Sequence, residues 1–473
     1  MAVRRILTLL ACGALVSPAL ASPLGDPTNG RAVFTGATVP HATSIELNPA
    51  ALGLGTRFEV YVAATSLLNQ IQIERRTLDL ATGDLSPGPR VRDTQLAPGA
   101  MIAVVGHPSE RLTLGGSVYL PAAERLPEGH EALRYHTLGG GESNLLVTVG
   151  VGFRVTSTLY FGASLSHENR LLDLRYARDT ALEAGPDGIA SDCGGAPCGV
   201  ENPLATELYD VDVRSPWLSA SNLKVTVGTV FRVYRDVWVG LAYHTPPGGD
   251  IQTTLDGTME VTRAPRDGGG LVRGRSTVYV SYPASIDGEI RARLPGELHL
   301  HVGGRWQDLS RMQAYDVRGF GSTFRANGIP EWVLRPRGYD DSIALWAGVE
   351  QIDRGEPLRV GARLGFVSSA VDTERASAVA IAPASFTADV GVQARVAPSW
   401  VFQLSYGLSY FPTVDVTDSL YDPRHQLACF ESGFDYTTIA CEAVRNGYAL
   451  PTAAGSYDRL EHAFRLGFRY ERL

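Results

Sequence analysis

Several segments of the chain alternate strictly between apolar residues and polar residues or glycine. From Trp400 to Phe411 the even positions carry aromatic and aliphatic side chains, and the odd positions between them include glutamine, serine and glycine. The segments 460–470, 386–396 and 358–366 repeat the pattern, with arginine, glycine or acidic residues in the second phase. Since successive side chains of a strand point to opposite faces, this pattern predicts strands with one apolar and one polar face.

The alternation predicts fourteen strands along the chain. They cover residues 57–66, 98–107, 111–120, 144–154, 159–169, 222–232, 237–245, 277–291, 297–306, 343–352, 358–367, 386–396, 400–411 and 460–470. Single-chain bacterial barrels have an even number of strands, as found here. A soluble β-sandwich would alternate as well, so alternation alone does not separate the two folds.

The connections between the predicted strands alternate between short and long. The turn HPSER at 107–111, for example, is followed after one strand by a long segment at 121–143. Short turns on one rim and long loops on the other are the arrangement of outer-membrane barrels. Aromatic side chains gather at strand ends, as at Trp238 and Trp400, which indicates an interfacial girdle. The sequence therefore predicts an all-β fold, a fourteen-stranded antiparallel transmembrane β-barrel.

The first residues form a secretory signal. Two arginines precede an apolar run at 6–16, and Ala19-Leu20-Ala21 forms an A-x-A cleavage site, so we expect the mature chain to begin at Ser22. A lipoprotein box ending at Cys12 is the alternative interpretation. Beyond the signal the sequence holds no run of about 18 apolar residues, so no transmembrane helix is predicted.

Composition and motifs argue against nucleic acid and against catalysis. The chain has 42 Lys and Arg against 50 Asp and Glu, a formal net charge of −8, whereas phosphate binding favours a basic surface. The sequence contains no G-x-S-x-G, Walker-type or H-E-x-x-H motif. We therefore expect no enzymatic activity and no cofactor, although a spatial triad on the barrel face remains an alternative.

The cysteines of the mature chain fall into two close pairs, Cys193 with Cys198 and Cys429 with Cys441. Paired cysteines in an exported protein predict disulfides, and both pairs lie in long segments on the oxidising outer side. Zinc is the alternative, but the segments lack C-x-x-C spacing and only His425 lies near.

Charged side chains are predicted to line the lumen. They include His299 and His301, two apart on one strand, which either hold a metal or are hydrogen-bonded. Buried charges need partners. We therefore expect the luminal arginines to pair with acidic residues or with the N-terminal segment, or to hold a carboxylate headgroup. These arginines are Arg359, Arg363, Arg395, Arg465 and Arg469.

Residues 22–55 precede the first predicted strand and carry no alternation. The segment is too rich in glycine and proline for a long helix. It is either a loose terminal tail or a plug folded into the lumen, because a fourteen-stranded barrel can hold about forty residues.

Five short stretches resemble one family when taken in order. They are NPAAL at 48–52, VGHPSERLTLGGS at 105–117, VWVGLAY at 237–243, LP at 294–295 and GRW at 304–306. With these stretches, and over nearly the whole mature chain, the sequence resembles the FadL family of outer-membrane long-chain fatty-acid and hydrocarbon transporters.

The resemblance implies a mechanism. The N-terminal segment, with Asn48, Pro49 and Ala50, would be a hatch that a ligand in a luminal pocket shifts. The ligand would leave sideways near the third strand, which spares an apolar molecule the periplasmic water. Pro121 directly follows that strand and lacks a ladder donor, so it either forms part of the gap or simply ends the strand. Asn48 either bonds backbone within the hatch or belongs to an ordinary Asn-Pro turn.

These observations predict three parts, a signal peptide at 1–21, a hatch at 22–55 and a transmembrane barrel at 56–473. The expected function is passive uptake of hydrophobic small molecules, long-chain fatty acids or hydrocarbons, across the bacterial outer membrane. The expected partners are that ligand and outer-membrane lipid, around a monomer. Two alternatives remain: a general porin with a water-filled lumen, and a structural or receptor barrel that binds partners through its outer loops.

Overall fold

The computed structural model describes residues 31–472 except 56–57, 80–81, 83, 124, 181–200, 202, 218, 250 and 353–355. Nineteen strands join into one sheet, and four short α-helices accompany them in this part of the chain. The strands are β1 (Phe58–Leu78), β2 (Leu85–Gly106), β3 (Leu112–Leu120), β4 (Gly139–Arg154), β5 (Leu159–Asp179), β6 (Thr206–Arg214), β7 (Leu223–Tyr234), β8 (Val237–His244), β9 (Thr253–Thr262), β10 (Leu271–Val280), β11 (Ser285–Leu294), β12 (Leu298–Gln307), β13 (Ala314–Phe320), β14 (Trp332–Pro336), β15 (Ser342–Gln351), β16 (Leu358–Val367), β17 (Ser385–Ala397), β18 (Trp400–Val416) and β19 (Gly455–Arg472).

The helices are α1 (Ser44–Leu47), α2 (Ser322–Ala326), α3 (Arg424–Glu431) and α4 (Ile439–Arg445). None of the helices in the described residues is both long enough and apolar enough to cross a membrane.

Fourteen of the strands close into an antiparallel barrel, which confirms the predicted fold class. The ring closes where β1 pairs with β19, from Phe58 opposite Arg472 to Arg75 opposite Gly455. Around the ring the strands follow the order β1, β2, β3, β4, β5, β7, β8, β11, β12, β15, β16, β17, β18 and β19.

The alternation along each barrel strand separates an outer apolar face from a buried inner face. Along β4, Val147 and Val149 point outward and are 43% and 61% exposed, whereas Thr148 between them points inward and is 1% exposed. Trp400 and Phe58 stand exposed at strand ends. An apolar outer face bounded by aromatic residues is suited to lipid, so these strands are the membrane-spanning elements.

The remaining five strands, β6, β9, β10, β13 and β14, form an outer sheet at the mouth of the barrel. β6 pairs with the outer half of β5, from Leu171 opposite Arg214 to Asp179 opposite Thr206. The other four strands follow in turn. The inner half of β5 pairs with β7, ending at His167. β5 therefore changes its neighbour between His167 and Leu171.

The prediction of a single strand over 277–291 is wrong. β10 ends at Val280 in the outer sheet, and β11 begins at Ser285 in the barrel. Pro283 lies between them, and proline cannot donate to a ladder, so the chain leaves one sheet there and enters another. β6 lies outside the fourteen predicted strands, between the predicted strands 159–169 and 222–232, and it pairs with β5.

The connection between β18 and β19 carries a helical hairpin made of α3 and α4. The disulfide Cys429–Cys441 joins the two helices, with Cα atoms 4.6 Å apart, which confirms the second predicted cysteine pair. The first pair, Cys193 with Cys198, lies outside the described residues.

Residues 31–55, called the luminal segment below, lie inside the barrel. Most of their side chains are buried, and α1 is followed by a 3-10 helix at Pro49–Leu54. The segment lies below the outer loops and the outer sheet, whose apolar side chains form a core of their own. The space enclosed by the barrel is therefore divided along its axis.

Candidate functional site in the barrel lumen

The luminal segment is fastened to the wall through its backbone. The Val33 amide donates to Asp389 Oδ1 at 2.9 Å, and the Phe34 amide donates to Glu350 Oε1 at 2.8 Å. Both carboxylates are buried. Hydrogen bonds to an ionised acceptor are stronger than neutral ones, so the wall holds this stretch independently of its side chains.

Further wall carboxylates hold the next residues of the segment. The amide and the hydroxyl of Thr38 both donate to Glu289 on β11, the amide at 3.2 Å. The Ala42 amide donates to Glu59 Oε1 on β1 at 2.9 Å. The segment is thus tied to opposite sides of the ring.

Two of the predicted luminal arginines neutralise these carboxylates. Arg363 pairs with Glu350 at 2.6 Å and also donates to the Thr35 carbonyl of the luminal segment at 2.5 Å. Arg465 forms an ion pair with Asp389. A buried carboxylate is costly unless it is paired, so these arginines allow the wall to present acceptors to the segment.

His301 lies between two of the wall carboxylates. Its Nδ1 is 3.4 Å from Glu289 Oε1, and its Nε2 is 3.5 Å from Glu350 Oε2. The ring meets His299 edge-on, with centroids 6.1 Å apart. Among the described residues no group of three potential ligands could hold a metal ion.

A row of glycines, called the glycine bed below, brings the wall close to the luminal segment. A Cβ atom at Gly162 would overlap the Ala50 backbone nitrogen, and one at Gly228 would overlap the Asn48 side chain. Gly162 lies opposite two other glycines of the bed in the ladders of β5 with β4 and β7. The glycine bed consists of Gly152 on β4, Gly162 on β5, Gly228 on β7 and Gly240 on β8.

Asn48 links the luminal segment to itself and to the wall. Its Nδ2 donates to the Ala37 carbonyl at 2.7 Å and to the Thr229 carbonyl of β7 at 3.2 Å. Its Oδ1 accepts from the Ala50 amide at 3.2 Å, and Pro49 begins the 3-10 helix. The amide therefore makes hydrogen bonds within the segment and one to the barrel.

Above the luminal segment lies a cavity of about 360 Å³ with two unlike sides. Arg31 and Glu46 of the luminal segment form its floor. The apolar side is lined by Val367, Ala370, Ala378, Val379, Ile381, Ala382, Pro383 and Phe411. The polar side is lined by Glu142, Glu168, Arg170, Lys224, Tyr282 and Arg305. Such a lining suits a molecule with an apolar body and a small polar part.

The polar side of the cavity is built around Arg170 on β5. Its guanidinium forms ion pairs with Glu168 and, at 2.6 Å, with Glu142. It also lies 3.5 Å from the centre of the Tyr282 ring, and the Tyr282 hydroxyl donates to Glu142 at 2.6 Å. Arg170 thus has two carboxylate partners, while Glu142 Oε2 is buried without a hydrogen-bond partner.

Arg337 also lines the cavity, at its outer end, but has a different set of partners. Its guanidinium donates to the Tyr315 and Tyr339 hydroxyls, at 2.6 and 2.9 Å, and its Nε has no hydrogen-bond partner. No carboxylate lies within ion-pair distance of it in the described chain, and only 2% of its surface is exposed. Burial lowers the pKa of Arg337, but Tyr315, Tyr339 and Glu142 outweigh this and raise the pKa above its usual value. Arg337 is therefore a buried cation with spare donor capacity facing the cavity.

Pro121 lies directly beyond β3 and lines the same cavity. The ladders of β3 with β2 and β4 show no register shift, so the gap expected near the third strand does not interrupt β3 itself. Beyond β3, the described residues of 121–126 touch β4 through an isolated bridge of Arg125 with Gly141. We call residues 121–126 the seam.

The described residues of the seam pack on β2 through small side chains. Ala122 and Ala123 lie in one cluster with Ala97 of β2. The lipid-facing residues on either side are Leu96 of β2 and Leu145 of β4, which are 60% and 36% exposed. The seam is therefore a strip of wall at the level of the apolar belt, and its described residues contact β4 through one bridge and β2 through small side chains.

Below the luminal segment lies a vestibule of about 900 Å³. Three of the five predicted luminal arginines, Arg359, Arg395 and Arg469, line it, and none of the five lines the cavity above. Arg359 also lies over the Phe34 ring of the luminal segment, 5.4 Å from its centre. Arg291 lines the vestibule without a hydrogen bond or ion pair in the described chain.

Sequence reasoning missed the arginines that line the cavity. Arg170 lies one residue beyond the predicted end of its strand, at 169, and alternation carried one step further would have placed it in the lumen. Arg337 lies in an irregular connection after β14, where no periodic signal exists.

The whole fold matches solved structures of transport proteins. A FadL homologue from Pseudomonas aeruginosa superposes with a TM-score of 0.74 at 14% identity, over 96% of this chain and 99% of that one. The toluene transporter TodX of P. putida gives 0.61 at 11% identity, over 94% and 99%. The toluene transporter TbuX of Ralstonia pickettii gives 0.59 at 15% identity, over 94% and 98%.

At these identities the likeness establishes a shared barrel fold. No protein-family model matches the chain, and no curated protein matches its sequence.

Proposed function

We propose that this protein, as a member of the FadL family, carries hydrophobic small molecules passively across the bacterial outer membrane. The observation that carries the proposal is the two-sided cavity of about 360 Å³, enclosed between the outer loops and the luminal segment. An apolar side of eight residues gains free energy by removing an apolar ligand from water. The three structural neighbours named above are transporters or their homologues, which supports a non-enzymatic role.

The proposed ligands are long-chain fatty acids or hydrocarbons. Arg337 favours a ligand that carries one anionic group, because its buried guanidinium has phenolic partners and no carboxylate within ion-pair distance in the described chain. A fatty acid would place its carboxylate there and its chain against Val367 to Phe411 on the other side.

In this proposal residues 22–55 form a hatch, with Asn48, Pro49 and Ala50 resting on the glycine bed. The backbone bonds to wall carboxylates support this role, because a loose tail would not be fastened at Val33, Phe34 and Thr38. Exit sideways through the seam beside Pro121 is part of the same proposal. We further propose that the signal peptide is cleaved after Ala21 and that the mature barrel acts as a monomer in outer-membrane lipid.

Deletion of residues 22–50 tests the proposal. Ion conductance in planar bilayers should rise, since the lumen loses its division, and uptake of oleate and toluene by cells should change. A conductance equal to that of the complete protein would refute the hatch. Equal uptake of a hydrophilic sugar and of oleate by the unaltered protein would favour the general porin instead. A loop deletion that abolishes partner binding but spares uptake would favour the receptor.

A further inference from the structure

The lining of the vestibule is basic, although the chain as a whole is acidic. The sequence has 42 Lys and Arg against 50 Asp and Glu, a formal net charge of −8. Among the described residues that line the vestibule, by contrast, five arginines stand against three glutamates. The arginines are Arg291, Arg359, Arg395, Arg469 and Arg472, and the glutamates are Glu59, Glu350 and Glu471. The vestibule therefore concentrates positive charge within an acidic protein.

The vestibule lies at the end of the barrel that carries the short turns. His107 directly follows β2, Pro398 and Ser399 join β17 to β18, and all three residues line the vestibule. In outer-membrane barrels the short turns face the periplasm. The basic lining is therefore on the periplasmic side of the luminal segment.

The glutamates of the vestibule offset only part of this positive charge. Glu350 pairs at 2.6 Å with Arg363, a residue that does not line the vestibule. Glu471 lies 2.6 Å from Arg469 Nε and 3.6 Å from Arg395 Nη1, so one carboxylate is shared by two arginines. An acidic ligand would therefore enter a space whose own carboxylates are already engaged.

Arg291 on β11 has donors that the described part of the chain does not use. Its Nε is buried without a hydrogen-bond partner, and the guanidinium forms no ion pair with the described residues. Arg291 lies opposite His301 in the ladder, and His299, two residues before His301, lines the vestibule as well. A buried guanidinium is stabilised by an acceptor, so Arg291 is a contact point for a carboxylate that enters the vestibule.

The arginines are spread along the wall. Arg291 on β11 and Arg359 on β16 are separated by three ladders, which pass through β12 and β15. Neighbouring strands lie about 4.8 Å apart, so the two positions are about 14 Å apart along the wall. Arg469 on β19 lies three ladders further. One small anion cannot contact both ends of this arc, whereas a chain that carries several carboxylates can.

We propose that the vestibule is a docking site for an acidic peptide segment of a periplasmic protein, with Arg291 as a direct contact. Arginine clusters recognise acidic motifs because a guanidinium can bind a carboxylate through two parallel hydrogen bonds. An extended peptide advances about 3.3 Å per residue, so about eight residues follow the wall from Arg291 to Arg469. The inference goes beyond the transport function and depends neither on passage of a hydrophobic molecule nor on movement of the luminal segment.

Peptide binding to the purified protein tests the site. The probe is rhodamine-labelled octaglutamate, added to the full mature chain in a neutral detergent, and its fluorescence anisotropy is measured. Octaserine with the same label is the control peptide and should not bind. Binding of octaglutamate should weaken as salt is added, because salt screens charges that solvent can reach. Absence of octaglutamate binding at low salt would overturn the proposal.

Two matched variants test the role of Arg291. Arg291→Gln should weaken octaglutamate binding about tenfold, as expected for the loss of hydrogen bonds between charged groups. Arg293→Gln removes the same charge two residues further along β11, where the side chain is exposed and outside the vestibule lining, and should bind as the unaltered protein does. Heat-modified mobility on gels confirms that both variants form barrels. Equal weakening in both would show that overall charge alone attracts the peptide, which contradicts a built site.

Cysteine protection locates the bound peptide without altering any arginine. Single cysteines are introduced as Ile352→Cys, which lines the vestibule, and Thr323→Cys in α2 beside the outer sheet, in a chain whose Cys193 and Cys198 are replaced by serine. Octaglutamate should slow the maleimide reaction at position 352 and leave that at position 323 unchanged. Protection at position 323 alone would place the peptide at the other mouth of the barrel and refute the docking site.

Competition separates the peptide from single anions. Inorganic phosphate or oleate, at the concentration of octaglutamate, should not displace it, because neither can contact the whole arc of arginines. Displacement by either would mean that the vestibule holds one anionic group, and the peptide proposal would be wrong. These measurements follow no uptake, so they stand apart from the transport proposal, which fails only if the protein carries neither oleate nor toluene into cells.

Discussion

At the residue scale, the proposed preference for an anionic ligand depends on Arg337. Arg170 nearby has two carboxylate partners, whereas Arg337 donates to two phenols, and the Nε of each arginine has no hydrogen-bond partner. A buried charge is stabilised most by an ionised partner. We therefore expect the Arg337 guanidinium to contribute most of the electrostatic binding free energy of a ligand carboxylate.

We therefore expect Arg337→Gln to weaken oleate binding by roughly tenfold or more, the effect of losing hydrogen bonds between charged groups. Toluene has no anionic group, and its uptake should be unchanged. Binding of radiolabelled oleate to protein in detergent, measured beside toluene uptake, checks this. Arg337→Lys keeps the charge, and its affinity for oleate should lie between that of the unaltered protein and that of Arg337→Gln. A parallel loss of both ligands would point to a distorted cavity.

The close approach of the luminal segment to the glycine bed leads to a second prediction at the residue scale. A methyl group at Gly162 would overlap the Ala50 backbone nitrogen, so Gly162→Ala should push residues 48–54 off the wall. Overpacking of this kind costs about 1–3 kcal/mol. Because the cost falls on the closed arrangement, bilayer conductance should rise. Gly116→Ala is the control, since its nearest neighbour, the Thr148 carbonyl, is 3.7 Å away. Equal conductance in both variants would contradict the close docking.

The roles of luminal residues could be predicted from the sequence only within segments that alternate between apolar and polar positions. Arg363 and Arg465 follow the period of two, and the structure places both inside the ring with acidic partners. The partners on the luminal segment were not predictable, because backbone amides such as that of Val33 carry no signal in the sequence. Arg337 lies outside any strand, so no period could place it beside Tyr315 and Tyr339.

At the scale of elements, the seam has few contacts with its neighbours in the wall. Neighbouring barrel strands are joined by long ladders, whereas the described residues of 121–126 contact β4 through one bridge and β2 through alanines. Backbone groups exposed to lipid are expensive, so an opening is most economical where few ladder bonds must be broken.

Filling the seam tests the lateral exit. Ala122→Phe adds a large side chain where Ala122 packs on Ala97, and it should slow oleate and toluene uptake several-fold, as expected for overpacking of about 1–3 kcal/mol. Ion conductance, which depends on the luminal segment, should not change. Ala122→Ser serves as the small control, and heat-modified mobility on gels confirms that both variants form barrels. Unimpaired uptake in a folded Ala122→Phe barrel would argue against this exit.

The outer sheet shows where sequence-based assignment of elements fails. The alternation of 277–291 continues through Pro283, yet β10 and β11 belong to different sheets. A period of two identifies strands but says nothing about which strand is the neighbour, so a strand that crosses between sheets looks continuous. The short strands β13 and β14 lie between the predicted strands 297–306 and 343–352, where no strand was predicted.

At the scale of the whole molecule, the barrel was predictable because two independent patterns agreed. The two-residue period of apolar positions predicts strands. The alternation of short turns with long loops predicts a closed barrel and the rim that carries the long loops. The division of the lumen was not accessible in this way. It depends on contacts between residues hundreds of positions apart, such as Val33 with Asp389.

The change of neighbour along β5 has a consequence for where a ligand can sit. β5 leaves β7 after His167 and takes up β6 at Leu171, so the sheet forks there. Where the sheet forks, the two neighbouring strands diverge. Side chains between the diverging strands are packed less tightly than side chains within a continuous sheet. Arg170 stands in that angle, where its amide and carbonyl are bound by Ser215 instead of a strand. The cavity beside Arg170 is thus a consequence of this branching. A chimera in which β5 belongs to an unbranched barrel should lack the cavity.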